Sequence, residues 1–168
     1  MPVPRPVSFE LHSTPFAAIL AYFQKSNRSH MALHHKNKAF CTLLALVLGG
    51  LGIHRFYLYG AKDPWAWLHL STAPLSALIW ALAPGRPLLF TAAPLVLSVL
   101  AGFIETLVIG VTPDDKWDAA HNPDSGHRTD SGWPVVLLLI VTLGGGATAL
   151  IAAIARTFDL LITGGSYG

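Results

Sequence analysis

Residues 49–60 read GGLGIHRFYLYG, and the fold is decided by what this stretch does at the end of an uncharged apolar run. Gly49, Gly50 and Gly52 weaken a helix and permit either close helix contact or a break. Arg55 can snorkel its guanidinium out of an apolar layer to phosphate, and Phe56, Tyr57 and Tyr59 are residues that settle at a membrane interface. The plainer reading makes HRFYLYG the turn joining two closely spaced helices, with Gly52, His54, Arg55, Phe56 and Tyr57 in structural roles. The sharper one makes His54 and Arg55 a recognition or protonation site at the membrane surface, since histidine titrates near neutral pH.

Across the whole chain, 52% of the 168 residues are hydrophobic and 12% charged, against about a quarter charged in soluble domains. The apolar residues gather into four blocks, 39–53, 64–83, 87–111 and 134–155, with nearly all Lys and Arg between them. These blocks predict an all-α, polytopic helical integral membrane protein of four transmembrane helices, with three as the alternative. Block 39–53 is short against the ~20 residues that cross a hydrocarbon core, so residues 54–59 are expected to help it reach the interface. Block 64–83 has no charged residue and carries Trp65, Trp67 and Trp80 near its ends, as an aromatic belt requires. Trp133 and Arg156 flank the last block. Ahead of them, Ser13, Thr14 and Pro15 look like a helix start. Phe16, Ile19, Leu20 and Phe23 share a face, predicting a short amphipathic helix lying in the headgroup region.

With four crossings, Arg5, Lys25, Arg28, Lys36, Lys38, Arg86 and Arg156 share one side and face only Arg55, Lys62, Lys116 and Arg128, which makes both termini cytoplasmic. If block 64–83 dips in without crossing, Arg86 and Arg156 exchange sides with Lys116 and Arg128 and the tally is unchanged. A net charge of +2 without a basic stripe excludes nucleic acid as a partner. The single cysteine, Cys41, allows no internal disulfide. FAAILAYF near the N-terminus is too short for a secretory signal and lacks a cleavage site, so no processing is expected.

Lys36 to Gly60, KNKAFCTLLALVLGGLGIHRFYLYG, resembles the opening of the two-transmembrane-domain (TM2 domain) family: basic residues, a short apolar span, a Gly-rich end, then Gly, a variable residue, His or Asp, Arg, Phe and Tyr. FIETLVIGVTPDDKWDAAHN, residues 103–122, is similar to the end of this domain in bacterial members, with Glu105 at the acidic position and Trp117 at the aromatic one. APGRP at 83–87 splits the region corresponding to the family's second span, and block 134–155 is an additional C-terminal span. The resemblance implies a membrane-embedded fold without an assigned activity, in the inner (plasma) membrane of a bacterium. The expected organisation is an N-terminal extension over 1–35, a two-transmembrane-type domain over 36–111, a polar loop with a short helix over 112–132, and an extra span with a short tail over 133–168. Met31 followed by basic residues is a familiar beginning for a small membrane protein, so residues 1–30 read as an extension.

Glu105 is the intramembrane acidic residue. A carboxylate inside a span costs ~2.5 to 3.5 kcal/mol on insertion scales, so it needs a partner. It is expected near the interface, bonded to Thr106 or a neighbouring helix, and a relay with His69 or His54 is the functional alternative. Thr112 is expected to cap a short helix with Pro113 at its first position. Asp114, Asp118 and His121 fall on one face of that helix, read as solvated in preference to a cation site. His30, His34 and His35 read as part of a basic membrane-proximal patch. Gly145, Ala149 and Ala153 recur every four residues, a small-xxx-small face for helix packing within the chain or with a second copy. No nucleophile setting, phosphate loop or zinc spacing appears, so no enzyme activity, cofactor or metal is expected. The expected function is helix association in the bilayer as a scaffold or accessory subunit, with another copy or another membrane protein as partner. The alternative is a small proton- or ion-coupled transporter or channel oligomer using Glu105.

Overall fold

The computed structural model describes residues 35–166; the amphipathic helix expected at 13–23, and His30 and His34, lie outside them. Every regular element among the described residues is helical. Helix α1 (Lys38–Leu48) starts where the Asn37 side chain accepts from the Phe40 N–H at 3.0 Å, satisfying one of the orphan donors of a helix start. It tightens into a 3-10 turn (Gly49–Leu51) and stops at Gly52, whose φ of 71° is left-handed. A Cβ on Gly52 would lie 2.8 Å from the His69 Cβ and 2.9 Å from the Ala66 carbonyl oxygen. Glycine is therefore needed there both for the dihedral and for space.

Helix α2 (Ile53–Tyr59) then runs back along α1. Lys36 Nζ donates to the Leu58 carbonyl, and the Asn37 N–H donates to the Tyr57 hydroxyl at 3.0 Å. Cys41, Ala45, Leu58, Ile109 and Trp117 close a buried apolar cluster between the returning helix and the first turns of α1. The first apolar block is thus one arm of a helical hairpin. Gly52 is the turn and HRFYLY is the returning helix, so residues 54–59, expected to help the first block reach the interface, run back alongside it and do not lengthen it. An 11-residue helix plus one 3-10 turn rises only about 22 Å. The backbone reverses there.

Asp63 opens helix α3 (Pro64–Leu82) by accepting from the Trp65 N–H at 3.2 Å, with Pro64 at the first position. After the APGRP stretch, the short helix α4 (Leu88–Thr91) leads into α5 (Ala93–Val111). Helix α5 is antiparallel to α3, since the Leu95 N–H donates to Ser76 and Ser98 meets His69. It is antiparallel to α1 as well, with Lys38 reaching the Thr112 carbonyl and Gly49 lying on Gly102. A Cβ added to Gly102 would come within 2.7 Å of the Gly49 carbonyl carbon, so these two backbones touch as small residues permit.

Helix α6 (Asp114–His121) starts one residue later than the sequence indicated, with Pro113 at the cap position while Thr112 closes α5. The Thr112 hydroxyl donates back to the Val108 carbonyl and the Thr112 N–H closes the last turn of α5, so this residue belongs to the end of α5. Helix α7 (Gly132–Ile162) returns antiparallel to α5, with Leu139 over Gly110 and Gly146 over Phe103. Lys36, Lys38, the end of α2 and the α6 region lie at one end of this arrangement. Arg86 lies at the other, where Thr157 and Phe158 of α7 meet Phe90.

Helices α5 and α7 are long and apolar enough to cross a membrane, and only 22% and 11% of their most apolar stretches are buried. A core helix of a soluble protein would be mostly covered, whereas these present Leu97, Ile104, Val108, Leu143 and Ile151 outward. So much bare apolar surface on helices of this length suits the bilayer, and the chain is a helical membrane protein. Helix α3 has a spanning length of 19 residues and no charge, though His69, Ser71, Thr72 and Ser76 make it less apolar.

Candidate functional site

Gly52 reverses the chain so that His54 and Arg55, at the start of α2, face α3 and α5. Glu105 comes to meet them from α5. Arg55 Nη1 donates to Glu105 Oε1 at 2.5 Å, and Arg55 Nε donates to Asp63 Oδ2 at 2.7 Å. One guanidinium thus joins two carboxylates, the paired geometry for which arginine is suited. Its carbon also lies 5.6 Å from the Tyr59 ring centre, within cation–π range.

The other carboxylate oxygen, Glu105 Oε2, is faced by two histidines. His54 Nε2 lies 2.8 Å away without the straight N–H···O geometry of a full hydrogen bond, and His69 Nε2 lies 3.6 Å away. The His54 side chain is 1% exposed, and its Nδ1 has no partner among the described residues. His69 Nδ1 is 2.7 Å from the Ser98 hydroxyl, which donates to the Gly50 carbonyl at 2.6 Å. The contact therefore runs from Asp63 through Arg55, Glu105, His69 and Ser98 to the 3-10 turn.

Glu105 thus takes its partners from α2 and α3, while the Thr106 hydroxyl bonds back to Gly102. Phe56 stacks edge-on with Trp67 at 5.3 Å and Tyr57 with Phe40 at 5.4 Å. Phe56 therefore packs the hairpin against α3, and Tyr57 packs its two arms together. In α7, Gly145 is exposed with open space around it, and Ala153 faces α5 across an apolar crevice of about 390 Å³; Ala149 is half-buried. The close approach to α5 is made by Gly146, where a Cβ would lie 3.3 Å from Phe103. The four-residue spacing singled out its neighbour, because only the direction of the facing helix distinguishes adjacent glycines.

A second polar cluster fastens the other parts of the sequence together. Lys38, only 3% exposed, donates to Asp114 at 2.9 Å and to the Thr112 carbonyl. The Lys36 N–H donates to Asn122 at 2.7 Å, and the Lys36 carbonyl accepts from Trp117 Nε1 at 3.0 Å. The face of Asp114, Asp118 and His121, read as solvated, is instead occupied. Asp114 accepts from Ser131, Asp118 from Asn122 and Thr129, and His121 stacks on Trp117 at 4.3 Å. Burial alone would raise the Asp114 carboxyl, but the bonds from Ser131 and Lys38 outweigh it and hold it below the usual range. The bond from Asn122, reinforced by those from Thr129, brings the Asp118 carboxyl down to about 2. Burial, with Lys36 nearby, lowers His121. His35 contacts Ser125 and Thr129 within the same loop. Among the described residues no three His, Cys, Asp or Glu side chains are placed to hold a metal ion.

Sequence reasoning missed the roles of Lys38, Asp63 and Ser98. Asp63 was findable, because a carboxylate just before Pro64 marks a helix cap. The other two carry no signal in one dimension. The family model for the TM2 domain matches residues 34–83, which hold the hairpin, Arg55, Asp63 and all of α3. No curated protein and no solved structure matches the chain.

Proposed function

We propose that this membrane protein is a scaffold or accessory subunit that works by lateral helix association, with the Arg55 cluster as its internal fastener. The observation carrying this reading is that Arg55 bonds both Asp63 and Glu105, so one guanidinium ties the hairpin to the head of α3 and to α5. A buried charge left alone is strongly destabilising, whereas a bonded pair fixes geometry. Outside, the bare faces of α5 and α7 are the surfaces available to lipid and to helices of another copy or another membrane protein. Arg55→Ala is expected to lower membrane abundance and assembly. A variant that accumulates and assembles like the parent overturns the structural role.

The topology that fits the hairpin has α1 and α2 entering and leaving on one side and α3, α5 and α7 crossing. Lys36, Lys38, Lys62, Lys116 and Arg128 then share a side, opposite Arg86 and Arg156, and the positive-inside rule makes the first side cytoplasmic. This reading keeps residue 35 cytoplasmic and moves the C-terminus across, in place of two cytoplasmic termini. An inner (plasma) membrane suits a bundle of apolar helices.

A second reading has its own observation, the two imidazoles that face Glu105. In a proton-coupled transporter they would pass a proton at that carboxylate. It predicts pH-dependent flux in liposomes that Glu105→Gln removes, and flux indifferent to that change dismisses it.

A further inference from the structure

We propose that His69, Glu105 and His54 form a binding site for a single exchangeable proton at the junction of α2, α3 and α5, with His69 Nε2 as its seat. Ser98 has one hydroxyl proton, and its oxygen is 2.6 Å from the Gly50 carbonyl, which can only accept. That proton lies between the two oxygens. His69 Nδ1, 2.7 Å from the same hydroxyl, is therefore the donor. The neutral His69 ring then carries its hydrogen on Nδ1 and a lone pair on Nε2, which faces Glu105 Oε2 at 3.6 Å. Two acceptors set against each other repel, and one proton between them converts the repulsion into a charge-assisted contact.

The fixed charges agree with this count. Arg55 contributes one positive charge, Asp63 and Glu105 one negative charge each. One negative charge is left over, and a proton on His69 cancels it. His54 Nε2 stands against Glu105 Oε2 at 2.8 Å, and its buried Nδ1 has no partner among the described residues. The titratable and charged groups acting on His69 are Glu105 from α5, His54 and Arg55 from α2, and Asp63 at the head of its own helix. Protonated, the site ties α2, α3 and α5 through one carboxylate; deprotonated, it sets a lone pair against that carboxylate and loosens the junction. This is an equilibrium property and stands whether or not protons cross the membrane.

Side-chain ¹⁵N NMR of the full chain in lipid nanodiscs, titrated from about pH 8 to about pH 4, tests the proposal. The neutral His69 ring is expected to hold its hydrogen on Nδ1 and to gain the second on Nε2. Glu105→Gln is expected to weaken proton binding at His69 at least about tenfold, one pH unit in midpoint. Ser98→Ala is expected to release the tautomer, so that both neutral forms appear. A neutral His69 protonated on Nε2 in the parent chain overturns the proposal, as does a His69 midpoint that Glu105→Gln leaves unmoved. Should Glu105→Gln fail to accumulate, the tautomer of the parent chain decides. Absent flux in liposomes with an intact titration dismisses transport alone.

Discussion

Gly52→Ala is the substitution that the fold resists most specifically. Two costs fall on one methyl group. The left-handed backbone, with φ at 71°, costs an L-residue about 1–2 kcal/mol. The new Cβ would meet the His69 Cβ at 2.8 Å and the Ala66 carbonyl oxygen at 2.9 Å. Overpacking of that kind adds about 1–3 kcal/mol, because α3 has to shift or the hairpin has to open. The sum, roughly 2–5 kcal/mol, is a large share of the ~5–15 kcal/mol that separates folded from unfolded proteins. Unfolding in mixed micelles, followed by tryptophan fluorescence as denaturing detergent is raised, reads the loss. Gly52→Asn separates the two costs, since asparagine tolerates the left-handed region but carries the same Cβ. Both variants are expected to be destabilised, Asn by the crowding alone, about 1–3 kcal/mol. If Gly52→Asn unfolds with the parent, the turn is not packed against α3 and the reasoning fails.

Arg55→Ala strands Asp63 and Glu105 without their shared cation and is expected to cost about 3–5 kcal/mol, read by the same titration; a loss under about 1 kcal/mol contradicts the fastener. Lys38→Met breaks the pair between the start of α1 and Asp114 and is expected to cost less, about 1–3 kcal/mol, because Ser131 still holds the carboxylate. Asp118 has its carboxyl at about 2 in the folded loop, against ~3.9 when unfolded. Its depressed value means that the stabilisation is present above the unfolded pKa and lost as pH falls towards about 2. Hydrogen exchange at the Thr129 amide, which donates to Asp118, should accelerate across that window beyond the intrinsic rate. An Asp118→Asn chain should show the faster exchange already at neutral pH, and exchange unaffected by either change would contradict the loop's dependence on Asp118.

Periodicity and composition make the helices and the need of Glu105 for a partner legible in one dimension. The glycines around 49–52 announce an interruption, and the interfacial aromatics that follow His54 and Arg55 announce a joint close by. What they leave open is direction. A helix that crosses and a helix that turns back at Gly52 bury the same apolar residues, so block 39–53 looks like a short span either way. Lysines flanking an apolar block suggest a solvated rim, and nothing local signals that Lys38 ends up covered by a helix more than seventy positions later. The choice between Gly145 and Gly146 likewise depends on where Phe103 of α5 lies. These are long-range facts, created by the packing of α5 against both the hairpin and α7.

Cysteine accessibility from the two faces of sealed vesicles tests the hairpin most directly, using a Cys41→Ser background with single cysteines at Asn37, Lys62, Gly85 and Ser125. A chain that doubles back at Gly52 labels at Asn37, Lys62 and Ser125 from one face and at Gly85 from the other. Asn37 and Lys62 labelling from opposite faces would mean that the first apolar block crosses, and the hairpin account would be wrong.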